Sequence, residues 1–479
     1  MQINFTSDEL FLLQKVAEAS VELQTESFVI GGFVRDKILN RPDKDIDIVC
    51  IGDGIELALK AAEKFQPKVQ VNYFKNFGTA QFSIKTSEGD DRYDIEIVGA
   101  RRESYESTSR KPVVTPAAFK DDIYRRDFTI NTLAVALSEI VEGNVIDTLG
   151  GLADLQNGII KTPLPPDQTF IDDPLRMLRA IRFATVLNFK IDPQTLEAIR
   201  LNAGRIEIVS GERIIEEINK MVLAKKPSIG FDLMYQTGLL QIIFPQMVAL
   251  AGAEFIDGKG HKDNFYHTLQ VLDNITPHTE DLWLRWAAIL HDIAKPATKR
   301  FEEGIGWTFH GHEVVGSRMV QKIFTQLKLP LNDKMKFVQK MVMLHLRPIS
   351  LTKENITDSA VRRLLYDAGE DIESLMILCK ADITSKNQKK VIKYLANFEL
   401  VEKRMKEVEE SDHLRNWQPP ITGEIIMKEF DLPPSRVVGE IKTAVREAIL
   451  DGEIPNNYDA AFELMKNIAA KLGITKASS

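Results

Sequence analysis

The chain has 479 residues, which is too many for one ordinary hydrophobic core and indicates three or four structural units. Its hydrophobic fraction of 44% and charged fraction of 27% are typical of a folded globular protein and exclude a disordered one. The formal net charge of −8 argues only weakly against a nucleic-acid partner, because phosphate binding depends on local clusters of positive charge.

Two features of the sequence predict a cytoplasmic protein. The acidic N-terminal segment does not have the basic region and apolar run of a signal peptide, and no apolar stretch is long enough to span a membrane. Cys50 and Cys379 lie far apart in the chain. This cysteine usage fits a reducing compartment and gives no sign of a disulfide framework.

Helical and strand patterns are mixed over the first 150 residues, whereas helical periodicity dominates afterwards. We therefore expect an α+β fold with a mixed sheet near the N-terminus, followed by helices. Apolar spacing predicts helices at 5–24 and 35–39 and strands at 28–30, 46–50, 69–73, 80–84 and 93–98.

A glycine pair and a carboxylate pair form the strongest constellation. Gly31 and Gly32 lack Cβ atoms, so that backbone N–H groups there can approach a triphosphate. Asp45 and Asp47 are expected to face one side of a strand, where two carboxylates repel unless Mg²⁺ lies between them. Glu96 is a candidate third carboxylate if the two strands are neighbours. Each motif alone is more often a turn or a solvated strand, but their combination in this order is far more specific.

Basic residues concentrate after the predicted strands. Arg125 and Arg126 can bind phosphate oxygens bidentately. Asp127 and Asn131 are four residues apart, which predicts that they share one face of a helix. Ordinary surface arginines are the simpler interpretation of this segment, and the order of the motifs argues against it.

A second basic run lies in the helical region. Asp173 and Arg176 are three residues apart and are expected to point to one side of a helix, where they could hydrogen-bond the Watson–Crick edge of C or A. A surface salt bridge is the simpler alternative. Arg179 and Arg182 extend the positive charge. The spacing of Arg213 and Glu217 favours bracing between helices, so that pair is left out of the site.

Histidines and acids later in the chain predict a metal site. Scattered histidines in a helical domain are more often structural, but imidazole and carboxylate ligands together suit a divalent transition metal with an open position for water. His310 and His345 lie nearby in sequence. The predicted ligands, in chain order, are His267, His291, Asp292, His312 and Asp382.

Five motifs in one order resemble the class II tRNA nucleotidyltransferase and bacterial poly(A) polymerase family. They cover about the first half of the chain, while LRWAAILHDIAKP and HGHEVVGS resemble an HD phosphohydrolase domain. The resemblance implies a polymerase-β-like head at 1–150, a helical neck at 151–250, an HD domain at 255–400 and a helical tail at 401–479. The motifs are GGFVRD with KDIDIV, RRDFTIN, DTLGGLADL, DDPLRMLRAIRF and ERIIEE.

The resemblance also implies an activity: template-independent, Mg²⁺-dependent addition of CCA from CTP and ATP to the 3′ end of tRNA. A flexible loop implied between residues 102 and 121 favours CCA or A addition over addition of C alone. The family motif usually begins Glu-Asp where this chain has Asp172-Asp173, which puts the role of the first acid in doubt. Asp45, Asp47 and Glu96 would be catalytic, and the HD ligands would hold Mn, Ni or Co. Nucleotide contacts are assigned to Gly31, Gly32, Arg35, Arg125, Arg126, Asp127, Asn131, Asp173, Arg176, Arg179 and Arg182.

Several alternatives stay open at this point. The same motifs serve poly(A) polymerases and partial CC- or A-adding enzymes. A phosphohydrolase with a degenerate head, or a non-catalytic RNA-binding protein, would need the head motifs to be incomplete, and they are intact. The sequence predicts no oligomeric state and does not decide whether the HD domain turns over a substrate.

Overall fold

The computed structural model describes residues 1–75, 78–85, 92–104, 113–256, 259–260, 263–351, 357–385, 387–412, 417 and 419–474. The chain divides into two compact units, Met1–Val248 (unit 1) and Ala249–Ser479 (unit 2). Among the described residues, no helix combines the length and the apolar character needed to cross a bilayer. The finer boundaries at 150 and 400 stay predictions.

A six-stranded mixed sheet forms the centre of the N-terminal part of unit 1. Its strand order is β3-β4-β5-β2-β1-β8, and β2 and β5 run parallel while the other neighbours are antiparallel. A separate hairpin pairs β6 with β7, and β9 pairs with β10. The strands are β1 (Ser27–Ile30), β2 (Asp45–Cys50), β3 (Asn72–Phe74), β4 (Thr79–Lys85), β5 (Arg92–Gly99), β6 (Arg101–Ser104), β7 (Val113–Pro116), β8 (Ala134–Ala136), β9 (Ile159–Ile160) and β10 (Lys190–Ile191).

Alternation of apolar and acidic residues positions the sheet. In β2, Ile46 and Ile48 are buried while Asp45 and Asp47 are exposed on the opposite face, as the period of two in a strand requires. Burial of such an isoleucine contributes about 2 kcal/mol, which makes a slip of register costly. Burial of the apolar face therefore determines which residues lie on the polar face of the sheet.

Helices occupy the rest of unit 1. The first begins at a capping box, in which Thr6 and Glu9 satisfy each other's backbone N–H groups. The helices are α1 (Ser7–Glu22), α2 (Gly32–Ile38), α3 (Gly54–Ala62), α4 (Phe119–Tyr124), α5 (Gly151–Asn157), α6 (Pro166–Asp172), α7 (Leu175–Leu187), α8 (Pro193–Asn202), α9 (Gly211–Val222), α10 (Ser228–Gln236), α11 (Leu239–Ile243) and α12 (Pro245–Val248).

Two helix predictions in unit 1 are wrong. Asp127 and Asn131 do not share a helix, because α4 ends at Tyr124 and Asn131 belongs to a short 3₁₀ turn. Asp173 and Arg176 do not share one either. Asp173 precedes Pro174, which disfavours helical backbone, and its φ of −139° and ψ of 101° place it between α6 and α7.

Unit 2 is almost entirely helical, so the predicted α+β fold class is confirmed. The chain's four tryptophans all belong to this unit, and Trp286 is fully buried. Two short antiparallel pairs are β11 (Phe255–Ile256) with β12 (Lys259–Gly260) and β13 (Arg300–Glu302) with β14 (Gly306–Thr308). The helices are α13 (Asn264–Ile275), α14 (Leu282–Leu290), α15 (Lys295–Thr298), α16 (His312–Gln326), α17 (Asp333–Leu344), α18 (Leu346–Leu351), α19 (Asp358–Ala368), α20 (Ile372–Ala381), α21 (Gln388–Asp412), α22 (Gly423–Phe430), α23 (Arg436–Leu450) and α24 (Tyr458–Lys471).

Each unit contains one cysteine. Cys50 ends β2 in unit 1 and Cys379 lies on α20 in unit 2, and both are buried free thiols. Burial raises the pKa of Cys50 to about 12 and holds the pKa of Cys379 well above its ordinary value.

Candidate functional sites in the two units

The exposed face of β2 and β5 carries the predicted carboxylates. The parallel register pairs Asp47 with Glu96 and Asp45 with Asp94, so four acids lie on adjacent positions of two strands. Asp94 was not predicted as a site residue. Its Oδ1 accepts hydrogen bonds from the hydroxyl of Ser83 and from Nε of Arg92, the latter at 3.3 Å. Desolvation by the surrounding protein raises the pKa of Asp47 to about 6. The positive charge of Arg126 opposes this rise, and the negative charge of Glu96 adds to it.

Three of these acids, Asp45, Asp47 and Glu96, fit a hard divalent cation. Carboxylate oxygens are the donors that Mg²⁺ prefers, and the pKa values of Asp47 and Glu96 are raised chiefly because the surrounding protein desolvates these carboxylates, although part of each side chain is exposed. A bound cation would relieve this cost. The donor chemistry of Asp45, Asp47 and Glu96 therefore agrees with the predicted Mg²⁺ site, whose ligand assignment stays a prediction.

Gly31 lies between this acidic face and the basic cluster. Its φ is +85°, and a Cβ atom there would lie 3.3 Å from Nη1 of Arg126 and 3.5 Å from Oδ2 of Asp47. A side chain would strain the backbone and crowd both groups. Gly32 differs, because a Cβ at that position would make only an ordinary contact with Arg35 at 3.6 Å.

Asp122 orients both arginines of the basic motif, and it was not predicted as a site residue. It is fully buried, and its Oδ1 accepts from Arg125 at 2.6 Å while its Oδ2 accepts from Arg126 at 3.1 Å. Burial would raise the pKa of Asp122, but the two guanidinium charges hold it below the ordinary value. The spacing of three and four residues from the arginines is the sequence signal that could have identified it.

A chain of hydrogen bonds links the remaining predicted nucleotide contacts. Nη1 of Arg35 donates to Oδ1 of Asn131 at 2.7 Å, and Nδ2 of Asn131 donates to Oδ1 of Asp127 at 2.9 Å. Nε and Nη2 of Arg179 donate to Oδ2 of Asp127 at 2.8 and 2.6 Å. Although Asp127 and Asn131 are not on one helix, their side chains do meet, across a turn.

The chain of contacts continues into α9. Nη1 of Arg179 lies 4.0 Å from Oε1 of Glu217, and Nε of Arg182 donates to Oε2 of the same buried carboxylate at 2.5 Å. Glu217 thus braces α7 against α9, as expected, but through Arg182 rather than Arg213. The ring of Phe183 lies under the guanidinium groups of Arg35, Arg179 and Arg182, at 4.9, 5.5 and 3.8 Å from its centroid.

The predicted base-reading pair is close to this cluster but is not arranged as one helical face. Oδ1 of Asp173 accepts the backbone N–H of Leu175 at 3.1 Å, at the start of α7. Nη2 of Arg176 donates to the backbone carbonyl of Arg125 at 2.7 Å. Arg176 keeps further N–H groups for a ligand, since a guanidinium has five. The predicted flexible loop, between residues 102 and 121, includes the end of β6, all of β7 and the start of α4, while residues 105–112 lie outside the described residues.

The second site lies in unit 2, where the predicted HD ligands come together at helix ends. Nε2 of His267 lies 3.0 Å from Oδ1 of Asp382 and 3.4 Å from Oδ2 of Asp292. His291 directly follows α14 and has its Nε2 3.2 Å from Oδ2 of Asp292. Nε2 of His312 lies 3.2 Å from Oδ1 of Asp292. All five predicted ligands therefore face one cluster.

His345 belongs to the same cluster, although it was not among the predicted ligands. It follows α17, it is 1% exposed, and its Nε2 lies 3.8 Å from Oδ1 of Asp292. Burial lowers the pKa of His345 to about 4, so its imidazole is neutral at pH 7, as a metal ligand must be. His310, the other histidine nearby in sequence, is largely exposed and lies outside the cluster.

Backbone acceptors fix the orientation of these imidazoles. Nδ1 of His291, His312 and His345 lies 2.7–2.8 Å from a backbone carbonyl oxygen three residues earlier. The ring proton therefore sits on Nδ1, and the lone pair of Nε2 points into the cluster. Those three Nε2 atoms are buried without a hydrogen-bond partner among the described residues. Unpaired buried nitrogen lone pairs of this kind fit a metal ion.

Comparisons with known proteins agree with both sites. A family model described as the poly A polymerase head domain matches residues 27–161. A model described as a probable RNA and SrmB-binding site of polymerase A matches residues 188–250, and an HD domain model matches residues 264–387. The matched segments follow the same order as the predicted head, neck and HD regions.

Individual relatives extend over most of the chain. An A-adding tRNA nucleotidyltransferase of Deinococcus radiodurans is 31% identical over 73% of this chain and 79% of that protein. A multifunctional CCA protein of Pseudomonas fluorescens is 30% identical over 63% of this chain and 70% of that protein. The solved CCA-adding enzyme of Bacillus stearothermophilus in complex with CTP shares the fold, with a TM-score of 0.68 and 20% identity over 97% of this chain and 98% of that one. With the family models matching in order and the Deinococcus similarity spanning most of both proteins, this chain belongs to the tRNA nucleotidyltransferase family.

Proposed function

We propose that the protein adds nucleotides from nucleoside triphosphates to the 3′ end of tRNA, with CCA addition from CTP and ATP as the activity. The observation that carries the proposal is the β2–β5 register, which sets Asp47 beside Glu96, next to Gly31 and Arg126. Asp45 and Asp47 would hold Mg²⁺, which when bound neutralises charge on the triphosphate and on the attacking oxygen. A cytoplasmic location stays part of this proposal.

The residues of unit 1 have separable tasks in this proposal. Asp122 aims Arg125 and Arg126 at the phosphates, and Gly31 leaves room for them beside the acidic face. Asp173 and Arg176 would contact the base. If they do, Arg176→Ala should change the ratios among CTP, ATP, UTP and GTP incorporation, whereas a purely structural role would slow all four equally.

The carboxylate assignment is tested by nucleotide incorporation on purified variants. Asp45→Ala should lower incorporation by roughly three powers of ten with an unchanged circular dichroism spectrum, because positioning and charge neutralisation supply most of the catalysis. Asp94→Ala is the matched control, since this acid lies on the same face but is engaged by Arg92. Near-normal incorporation by a folded Asp45→Ala protein would contradict the assignment.

A second candidate activity is A addition alone. It is favoured by the name of the Deinococcus relative, which covers more of this chain than the Pseudomonas protein does. Two tRNA substrates separate the candidates: one lacks the whole terminal CCA and one lacks only the final A. A CCA-adding enzyme incorporates labelled C and A into the first, whereas an A-adding enzyme uses only the second. Long A tracts on either substrate would indicate a poly(A) polymerase.

The HD cluster is proposed to bind a divalent transition metal and to hydrolyse a phosphoester. The unpaired Nε2 atoms of His291, His312 and His345 support the metal, and Mn²⁺, Ni²⁺ or Co²⁺ suits imidazole ligands better than Mg²⁺ does. When bound, such an ion lowers the pKa of a water ligand so that hydroxide is present near pH 7. The side chains of His267 and Asp382 are more exposed than those of the other residues in the cluster, so this side is the one from which substrate would enter.

A further inference from the structure

A row of exposed side chains crosses the sheet of unit 1 at a single register. Glu96 of β5 pairs with Asp47 of β2 on one side and with Gln81 of β4 on the other. Gln81 pairs in turn with Asn72 of the edge strand β3. Directly paired residues point to the same side of a sheet, and all four residues are exposed in their strands. The face that carries the acids therefore continues across β4 to the edge of the sheet.

The edge strand adds an aromatic ring to this face. Phe74 lies two residues after Asn72, so both side chains point to the same side, and Phe74 is 50% exposed. Tyr73, between them, is 47% exposed but points to the opposite face, where its partner Ala80 is buried. A half-exposed ring beside amide side chains is a surface on which a nucleobase can stack, while the amides can donate and accept hydrogen bonds.

The order of the strands determines from which side an RNA reaches the acids. Gly31 directly follows β1, and a Cβ atom there would lie 3.3 Å from Nη1 of Arg126 and 3.5 Å from Oδ2 of Asp47. The groups assigned to the triphosphate are therefore on the β1 side of β2, whereas β5 borders β2 on the other side. In phosphoryl transfer the attacking and leaving oxygens are roughly in line, on opposite sides of the phosphorus. With the pyrophosphate on the β1 side, the attacking 3′ oxygen arrives from the β5 side.

We propose that the exposed face of β5, β4 and β3 binds the 3′-terminal nucleotides of the RNA that is extended. This surface, the primer platform, consists of Glu96, Gln81, Asn72 and Phe74. Phe74 stacks on a base, and the two amide side chains hydrogen-bond bases or sugars. This role rests on the nucleotide addition proposed above for unit 1, and it assigns residues to the second substrate of that reaction.

The dimensions of the primer platform fit a short stretch of single-stranded RNA. Neighbouring strands are about 4.8 Å apart, so Asn72, three strands away from Asp47, lies about 14 Å along the row. That length suits a few nucleotides next to the reacting 3′ end. Gln81 and Asn72 are neutral and Phe74 is apolar, so they offer base and sugar contacts rather than ion pairs with phosphates. Binding by these three residues should therefore depend little on salt concentration.

Kinetics with each substrate varied separately test the primer platform. The full chain with Phe74→Ala is assayed for nucleotide incorporation into tRNA that lacks its terminal CCA and into tRNA that lacks only the final A. We expect the KM for tRNA to rise about tenfold, because one stacked base is lost, and the KM for the nucleoside triphosphate to stay unchanged. Phe74→Trp keeps an aromatic ring and should restore the KM for tRNA.

Tyr73→Ala is the matched control, because it removes a ring of similar exposure from the same strand but from the opposite face. It should leave both KM values unchanged. Equal effects of Phe74→Ala and Tyr73→Ala on the KM for tRNA would overturn the primer platform. A rise in the KM for the nucleoside triphosphate alone would overturn it as well, since Phe74 would then act on the other substrate.

A binding measurement separates failure of the primer platform from failure of the proposed function. The fluorescent base 2-aminopurine, whose emission is quenched by stacking, replaces each of the last three bases of the shortened tRNA in turn. Wild type and Tyr73→Ala should quench it at one of these positions, and Phe74→Ala should not. Quenching that depends on Phe74, without any incorporation by wild type, would support the primer platform and contradict nucleotide addition. Incorporation by wild type with no quenching that depends on Phe74 would overturn the primer platform alone.

Discussion

Asp127 is the residue on which most contacts of the basic cluster converge. Burial would raise its pKa, but the charge of Arg179 and the hydrogen bond from Asn131 hold that pKa well below the ordinary value. Its carboxylate also accepts the backbone N–H of Phe128 at 2.8 Å. The ionised form is therefore the one that holds the turn, α7 and the side chain of Asn131 in place.

Acid should remove this stabilisation. Because the pKa of Asp127 is lower in the folded state than in the unfolded state, its contribution is complete above about pH 4 and is lost as the pH falls below that value. Asp127→Asn should lower the free energy of unfolding of unit 1 by about 3 kcal/mol at pH 7, because Arg179 loses a buried partner.

The measurement is urea unfolding followed by circular dichroism at pH 7 and at pH 3. The free energies of unfolding of wild type and Asp127→Asn should differ less at pH 3. At that pH the stabilisation by the ionised wild-type carboxylate is being lost. Tryptophan fluorescence, which reports unit 2, should be equal for both proteins. An equal difference at both pH values would show that Asp127 acts only through its shape.

At the scale of single residues, the sequence identified candidate metal-binding side chains more completely than it identified the residues that position a site or complete it. Asp45, Asp47 and the HD pair were predictable because spacing alone places them on one face or side by side. Asp122 and His345 were not selected, since each is important for what it contacts in the fold. His345 in particular follows an apolar helix, and only the packing of α17 brings it to Asp292.

The helices and strands themselves were predicted well where the apolar period was long. Residues 5–24 were expected to form a helix and α1 is Ser7–Glu22, whereas the strand expected at 69–73 overlaps β3 (Asn72–Phe74) only at residues 72–73. The two wrong helix predictions have local causes. Asp127 bonds the neighbouring backbone N–H, which competes with helix, and Asp173 precedes a proline.

Packing between α3 and β5 gives a prediction at the same scale. Gly54 begins α3, and a Cβ atom there would lie 2.7 Å from the backbone of Val98 and Gly99. Gly54→Ala should therefore destabilise unit 1 by about 2 kcal/mol, because backbone atoms cannot move aside as a side chain can. Thermal unfolding followed by circular dichroism measures the loss.

Gly439 provides the matched control. It lies on the exposed side of α23 with open space around its Cα, so Gly439→Ala should stabilise unit 2 by about 1 kcal/mol through the unfolded state. A loss of stability in Gly439→Ala as large as that in Gly54→Ala would show that the close approach to β5 does not explain the loss in Gly54→Ala.

At the scale of the whole molecule, the two proposed sites belong to different units. The carboxylates lie in Met1–Val248 and the histidine cluster lies in Ala249–Ser479. Since neither site contains a residue of the other unit, their chemistry should be separable. His291→Ala with Asp292→Ala should abolish metal-stimulated hydrolysis of a 2′,3′-cyclic nucleotide and leave nucleotide addition to tRNA within about twofold of wild type.

A paired assay of both activities on the same preparation makes the comparison. Asp45→Ala is the reciprocal variant, which should lose nucleotide addition and keep hydrolysis. Equal loss of both activities in a well-folded His291→Ala, Asp292→Ala protein would contradict the separation and would mean that unit 2 is needed to hold the tRNA.

Each unit contains a single buried thiol, so the rate at which a thiol reagent labels that cysteine measures local opening of its unit. A thiol reagent reaches Cys50 only when the sheet opens and Cys379 only when α20 opens, because their raised pKa values keep both thiols protonated and burial keeps them inaccessible. Sγ of Cys379 donates to the backbone carbonyl of His345 at 3.1 Å. Metal added to the HD cluster should therefore slow the labelling of Cys379 alone, whereas a bound nucleoside triphosphate should slow that of Cys50 alone. Mass spectrometry of the two labelled peptides would measure the effects of both ligands on labelling in one sample.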